Sequence, residues 1–265
     1  MPRKPPLSGN TARPGAAPGK RILIAGASSD IGLALIGILG AGKATVGAHY
    51  FRNRSALNEI AADGRLDAAT FRLFPGSLCS QADCHKLVDD FVKWAGGIDA
   101  LVQLTGNVAK PCPWQELPEA AWLADINLNL SGPFFLAQRA MRQMQSSGGR
   151  VVLTSTASAR HGGGATSIAY GVAKAGIECL TKGLARAGAP HNILVNAIAP
   201  GMIDTKFHSR SMGRDRAALR KRVELVPLKR AGAPGDVAAM IAYLLSPQAG
   251  YITGECIAVS GGDWL

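Results

Sequence analysis

No apolar run in this 265-residue chain approaches the roughly 18 residues that a membrane-spanning helix requires. The N-terminus lacks the charged-then-apolar layout of a secretory signal. The five cysteines, Cys79, Cys84, Cys112, Cys179 and Cys256, are odd in number, and none stands in a CxxC pair. These absences argue against a membrane protein, a disulfide framework and a metal site, and predict a cytoplasmic protein with reduced thiols in its core. There is no internal repeat and no sign of a second folded domain. What is present is 47% apolar residues, 18% charged residues and 32 glycines, a globular composition rich in close backbone contacts. The length suits one large α/β domain.

Negative charge is scarce in two places. Residues 1–20 carry Arg3, Lys4, Arg13 and Lys20 with no acid, and their Pro/Gly-rich composition predicts a disordered tail over 1–19. Between Asp204 and Arg230 nine Lys/Arg face three acids, a large share of the net charge of +11. Nucleic acid would suit such charge, but no DNA- or RNA-binding motif accompanies it, so no nucleic-acid partner is expected. An anionic small molecule or an acidic carrier is another explanation, and a solvated helix face is a third.

Apolar runs and helical patterns alternate along the chain. Arg21 to Ala25 reads as a buried strand, GASSDIG at 26–32 as a turn, and the residues to about 39 as an apolar helix. Strand, glycine turn and helix is how a dinucleotide pyrophosphate is held: glycine lets the backbone approach, and the helix N-terminus faces the negative charge. A second strand over 44–50 ends in Phe51, Arg52, Asn53 and Arg54. An acid at that strand end would read the 2′-hydroxyl of NADH, whereas arginine suits a 2′-phosphate, so NADPH is favoured over NADH. Further strands are expected at 69–74, 100–104, 151–155, 193–197 and 255–259. Helices are expected at 82–94, 119–145, 169–187 and 234–245. The alternation predicts a doubly wound, Rossmann-type α/β domain with a seven-stranded parallel sheet and helices on both faces.

The stretch RVVLTSTASARHGGGATSIAYGVAKAG at 150–176 brings hydroxyls, a glycine loop and a Tyr/Lys pair together. Tyr170 and Lys174 are four apart, hence on one helical face. Free tyrosine, with a pKa near about 10, is a poor acid–base group at neutral pH, and an adjacent ammonium favours phenolate. Taken alone, the pair is equally what chance places on an ordinary helix.

These pieces, in their order and spacing, resemble the short-chain dehydrogenase/reductase family over about residues 20–265. GASSDIG (26–32) is similar to the family's cofactor turn, NLSGPF (129–134) to its helix motif and YGVAK (170–174) to YxxxK. VNAIAPG (195–201) is similar to the segment flanking nicotinamide, and PLKRAGAPGDVA (227–238) with YITGECIAVSGG (251–262) to the C-terminal signature. The resemblance implies catalysis by Asn129, Thr156, Tyr170 and Lys174. Tyr170 would be the proton donor to a carbonyl. Lys174 would hold ribose hydroxyls and lower the phenol's pKa, and Asn129 would anchor a relay water. Thr156, fourteen residues before Tyr170 where thirteen is usual, would orient the carbonyl; Ser155 and Ser158 are alternatives. The cofactor would be held by Gly26, Ser28, Ser29, Asp30, Ile31 and Gly32. Arg52, Ser77, Gly106, Tyr170, Lys174, Pro200, Gly201, Ile203 and Thr205 would complete its site.

Several positions depart from the family pattern. Asp30 replaces the middle glycine of the turn, and Ser77 stands where an Asp usually reads adenine. Gln103 opens QLTG where NNAG is usual, and Ser260 replaces the Asp of VDGG. The leading expectation is an NADPH-dependent carbonyl reductase resembling 3-oxoacyl-carrier-protein reductases. Its small-molecule carbonyl substrate would ride on acyl carrier protein or coenzyme A, with charge near Arg142, Arg186 and 206–230 drawing it in. His49-Tyr50 before Phe51 and Arg52 supports a rival, pteridine-type reductase. The departures support another, a catalytically weak nucleotide-binding or structural subunit. The family also implies a homotetramer, and Gly201, Gly213 and the dense charge predict a mobile substrate lid, rather than packed helix, around 202–226.

Overall fold

The computed structural model describes residues 19–62, 67, 69–213 and 215–263. The expected basic tail falls outside them apart from Gly19, as does Arg214 of the basic segment. The strands are β1 (Arg21–Ala25), β2 (Thr45–Tyr50), β3 (Phe71–Pro75), β4 (Ala100–Gln103), β5 (Gly149–Thr154), β6 (Ile193–Pro200) and β7 (Cys256–Val259). The helices are α1 (Asp30–Ala41), α2 (Ser55–Ala62), α3 (Gln81–Ala95), α4 (Glu119–Ile126), α5 (Gly132–Met144), α6 (Ile168–Gly188), α7 (Lys206–Arg210), α8 (Arg216–Glu224) and α9 (Pro234–Leu245).

All seven strands are parallel, in the order β3-β2-β1-β4-β5-β6-β7. Period-two alternation sends Ile22 and Ile24 of β1 to one face, against Leu35, Ile36 and Leu39 of α1 and Val237 and Ile241 of α9. Leu23 and Ala25 go to the other face, against Phe91 of α3, Leu136 of α5 and Ile177 of α6. A strand buried on both sides needs the continuous apolar run that RILIA supplies. Gly47 in the middle of β2 is explained by packing: a Cβ there would collide with the Phe91 ring, which is fully buried. The strand order reverses between β1 and β4, opening a crevice at the carboxyl ends of those strands.

Departures from the expected elements have local causes. β3 starts at Phe71 rather than 69 because Asp67 holds the preceding residues in a turn, its Oδ1 accepting from Ala69 N at 2.8 Å and its carbonyl from Thr70 N at 2.9 Å. The single helix expected over 119–145 is interrupted by a π turn at Asn127–Ser131. Pro133 has no N–H to give the Asn129 carbonyl four residues back, and the helix widens there. The 202–226 segment, expected as a lid without packed helix, carries α7 and α8. α8 starts where the Asp215 carboxylate accepts from Ala218 N at 2.7 Å, and it buries no residue. α2, absent from the sequence expectations, buries only Leu57.

Candidate active site

The crevice begins at the turn after β1. Gly26 adopts φ +83°, a conformation that favours glycine, and a Cβ on it would lie 2.9 Å from Thr105 N. A Cβ on Gly32 would collide with the Ala27 carbonyl. Ser29 caps α1, its Oγ donating to Gly26 O at 2.8 Å and accepting from Gly32 N at 3.1 Å. His49, 2% exposed at the end of β2, accepts from Gly26 N through Nδ1 at 3.1 Å, while its Nε2 lies 3.1 Å from the Gly76 carbonyl. Those partners require the tautomer protonated on Nε2, and burial pulls the ring's pKa down to about 4. A polar residue in an otherwise apolar strand was the sequence signal for this role.

β4 and β5 are tied by Gln103. Its Oε1 accepts from Thr154 N at 3.3 Å, its carbonyl from Thr154 Oγ1 at 2.5 Å, and its Nε2 donates to Thr105 O at 2.8 Å. The Gln103 side chain and carbonyl thus tie the two strands at the position where NNAG is usual.

The Tyr/Lys pair sits beside this junction, on the first two turns of α6. Lys174 is 1% exposed; its Nζ donates to Thr154 O at 2.9 Å and lies 5.6 Å from the Tyr170 ring centroid. Burial brings the ammonium's pKa down to about 7. Tyr170 is shifted the other way. Burial raises the phenol above its ordinary value, opposed by a hydrogen bond with Thr156 and reinforced by the carboxylate of Asp125. Sequence reasoning expects Lys174 to lower that pKa; here the net shift is upward, because burial of the phenol outweighs the hydrogen bond that opposes it. Thr156 Oγ1 lies 3.2 Å from Ser158 Oγ. Ser155, 1% exposed, turns to α6, with Oγ 2.9 Å from Lys174 O and 3.1 Å from Glu178 Oε1. That geometry favours Thr156 and Ser158 over Ser155 as hydroxyls facing the cleft.

Asn129, fully buried in the π turn, donates through Nδ2 to Asn107 O at 2.8 Å and Asp125 O at 2.9 Å, and accepts from Asn107 N at 3.2 Å. Asp125, one turn earlier, accepts from Ala109 N at 2.8 Å. These bonds fasten the 105–109 loop against α4. A Cβ on Gly106 would lie 3.3 Å from Asn129 Oδ1 and 3.5 Å from Lys174 Nζ, so the glycine leaves a cradle over both.

Two cavities meet at Tyr170. The first, about 280 Å³, runs past Ser28, Ser29, Asp30, Ile31, Gly106, Lys174, Pro200, Ile203 and Thr205. The second, about 380 Å³, runs past Ser158, His161, Met202, Met212, Leu225, Arg222 and Asp263. Thr156, Tyr170, Gly201, Phe207 and His208 line both. The Phe207 ring packs on Tyr170, centroids 5.8 Å apart, and the sequence reading missed both it and His208. Arg222 and Asp263 form a pair at 2.6 Å that joins α8 to the residues after β7.

Most of the expected cofactor residues therefore gather around one cleft. Gly26 and Gly32 shape the turn without lining the cavity. Arg52 is exposed, its guanidinium 4.7 Å above the Phe51 ring, and Asn53 and Ala56 line the cleft nearby. Ser77 accepts from Cys79 N at 3.3 Å and is not part of the lining. A glycine turn at a capped helix N-terminus, the Gly106 cradle and a buried lysine make a donor set that fits a nicotinamide dinucleotide.

Comparison with known proteins bears on the same region. A family profile described as "Enoyl-(Acyl carrier protein) reductase" matches residues 26–263. A Bacillus subtilis (strain 168) protein named "Probable 2,4-dienoyl-CoA reductase" is 34% identical over 253 residues, covering 93% of this chain and 97% of its own. The 3-oxoacyl-[acyl-carrier-protein] reductase of Aquifex aeolicus (strain VF5) is 32% identical over 248 residues, covering 92% and 97%. Among solved structures, a short-chain dehydrogenase/reductase from Serratia marcescens superposes with a TM-score of 0.85 at 27% identity, covering 94% of this chain and 100% of that one.

Proposed function

The chain belongs to the short-chain dehydrogenase/reductase family, oxidoreductases that use a nicotinamide dinucleotide, and on that premise we propose that it is an NADPH-dependent reductase of an acyl-thioester carbonyl. The observation that carries the reading is the position of Tyr170, on the wall common to the two cavities, with the Thr156 hydroxyl beside it and Lys174 beneath. When bound, the nicotinamide supplies hydride. Tyr170 gives its proton to the carbonyl oxygen as negative charge develops there. Thr156 Oγ1 donates to the same oxygen and orients it, with Ser158 in reserve through their mutual contact. Lys174 holds ribose hydroxyls and, once protonated, favours the phenolate that Tyr170 becomes. Asn129 fixes the loop above Lys174 and anchors a proton path to solvent.

Arg52 supports NADPH, since an exposed guanidinium at the end of β2 matches a 2′-phosphate. The carrier-linked substrate rests on the excess of Lys/Arg over acids between Asp204 and Arg230 and on the acyl thioesters in the relatives' names. A second reading, reduction of the C=C bond of an enoyl or dienoyl thioester, is favoured by the name of the Bacillus subtilis relative and by the family profile's description. The pteridine-type reading still rests on the His49-to-Arg52 stretch alone; in it the His49 ring is engaged by Gly26 and Gly76. Leu123 on α4 and Val172 on α6 are exposed apolar side chains, and they support pairing of copies toward a homotetramer.

The test is NADPH oxidation by purified protein offered acetoacetyl-CoA, crotonyl-CoA and a 2,4-dienoyl-CoA side by side. Turnover of the first, with NADPH preferred over NADH by at least about tenfold in kcat/KM, about 1.4 kcal/mol, is expected. Turnover confined to the unsaturated thioesters would transfer the assignment to the second reading. Tight NADPH binding with no turnover on any of them would leave a binding subunit.

A further inference from the structure

Asp30 stands where the resemblance would have put a glycine, and it does something a glycine cannot. Its Oδ2 accepts from the backbone N–H of Lys206 at 2.8 Å, joining the first turn of α1 to the first turn of α7 across 176 residues of sequence. The first N–H groups of a helix lack intrahelical acceptors. Thr205 precedes α7 and makes no side-chain cap bond, so Asp30 supplies an acceptor from the opposite wall of the cleft. The residue after Lys206 is Phe207, whose ring lies on Tyr170, and His208 follows; both line the two cavities.

We infer that Asp30 is a positioning residue that clips α7 across the mouth of the cleft, so that Phe207 and His208 stand between the nucleotide side and the substrate side at Tyr170. The inference rests on the reading of those two sides given above for its meaning, but the clip itself is a property of the chain alone. A carboxylate at the N-terminus of α1 is favourably placed toward the helix dipole. It also occupies the neighbourhood that a pyrophosphate would use, and the two negative charges repel. Occupation of the first cavity would therefore weaken the clip, and α7, just beyond the Ile203–Gly232 bridge, is the element that would respond.

Hydrogen exchange of the cofactor-free full-length protein tests this directly. In Asp30→Ala the amide of Lys206, the one bonded to the carboxylate, should exchange roughly tenfold faster than in the wild type. Asp30→Asn keeps an acceptor oxygen and should restore most of the protection. Thermal unfolding of both variants checks that the fold survives. Unchanged exchange at Lys206 in Asp30→Ala overturns the inference, and so does exchange in Asp30→Asn at least as fast as in Asp30→Ala. Adding NADP⁺ to the wild type should speed exchange of the Lys206 amide; added protection there would overturn the competition between clip and pyrophosphate. The variant comparison needs no turnover, so a protein that reduced no thioester would still decide it, and the two readings fail separately.

Discussion

The two walls of the cleft are built differently. The wall formed by the turn at 26–32, the 103–109 loop and the start of α6 is fastened by buried, specific contacts. His49 holds Gly26, Gln103 ties β4 to β5, Asn129 holds Asn107, and Lys174 donates to Thr154. The opposite wall, 202–226, is anchored at its two ends, by the Ile203–Gly232 bridge and by buried Val226, and between them carries two short helices, the second without a buried residue, held by Asp30 and by the Arg222–Asp263 pair. Groups that must be placed to a fraction of an ångström sit on the first wall. Groups that touch whatever enters from solvent sit on the second. On the function proposed above, the division would put reaction chemistry on firmly held elements and substrate contacts on a more lightly held segment.

Removing the Tyr170 hydroxyl probes that division with the largest expected effect. Tyr170→Phe should lower kcat by about 10²- to 10⁴-fold, the usual worth of a positioned proton donor. Urea unfolding should move by no more than about 1 kcal/mol, because one hydroxyl with one hydrogen bond is lost. A variant with wild-type kcat would show that the fastened wall is scaffold and not chemistry.

How much of this was legible in the chain follows the same division. RILIA, the glycine turn and YGVAK announce themselves, because a strand buried on both faces, a helix start at a phosphate seat and a four-residue helical spacing each leave a local pattern. The seven-stranded parallel sheet followed from the alternation of such segments. The upward shift of the Tyr170 pKa was hidden, since it comes from burial by residues far apart in sequence. Phe207 was hidden for another reason: nothing in KFHSR says which way a five-residue helix faces, and its contact with Tyr170 depends on where Asp30 holds it. Asp30 itself was noticed as an oddity, but a carboxylate at a helix start has several uses, and the partner that selects one lies across the cleft. The π turn at 127–131 was written in Pro133, whose missing N–H falls at Asn129.

His49 offers a smaller effect that belongs to the fastened wall alone. The ring is buried neutral, with its pKa pulled from 6.5 to about 4. Between those values the unfolded chain binds a proton that the folded chain does not. The stability this ring contributes is therefore complete above pH 6.5 and is lost as pH falls toward 4. The full difference is on the order of 3 kcal/mol. Urea titrations at pH 7 and pH 4.5 should show a steeper acid loss in the wild type than in His49→Gln, whose amide can still bond Gly26 and Gly76 without titrating. Equal slopes in the two proteins would mean the ring is not a buried neutral member of the turn.

The smallest stability effect is expected on the loosely attached wall, and there it separates from function. Arg216, Arg220 and Lys221 lie on α8, which has no buried residue. Changing all three to Glu should move unfolding by about 0.5 kcal/mol or less per site, the usual range for surface positions. If this face draws in a phosphate-bearing or acidic carrier, the same variant should raise KM for a coenzyme A thioester at low salt. Its excess over the wild type should shrink as ionic strength approaches 0.5 M, because screening removes attraction and repulsion alike. A KM that rises equally at all salt concentrations would mean that α8 shapes the cavity sterically. A KM that does not move would reduce the basic segment to a solvated helix face.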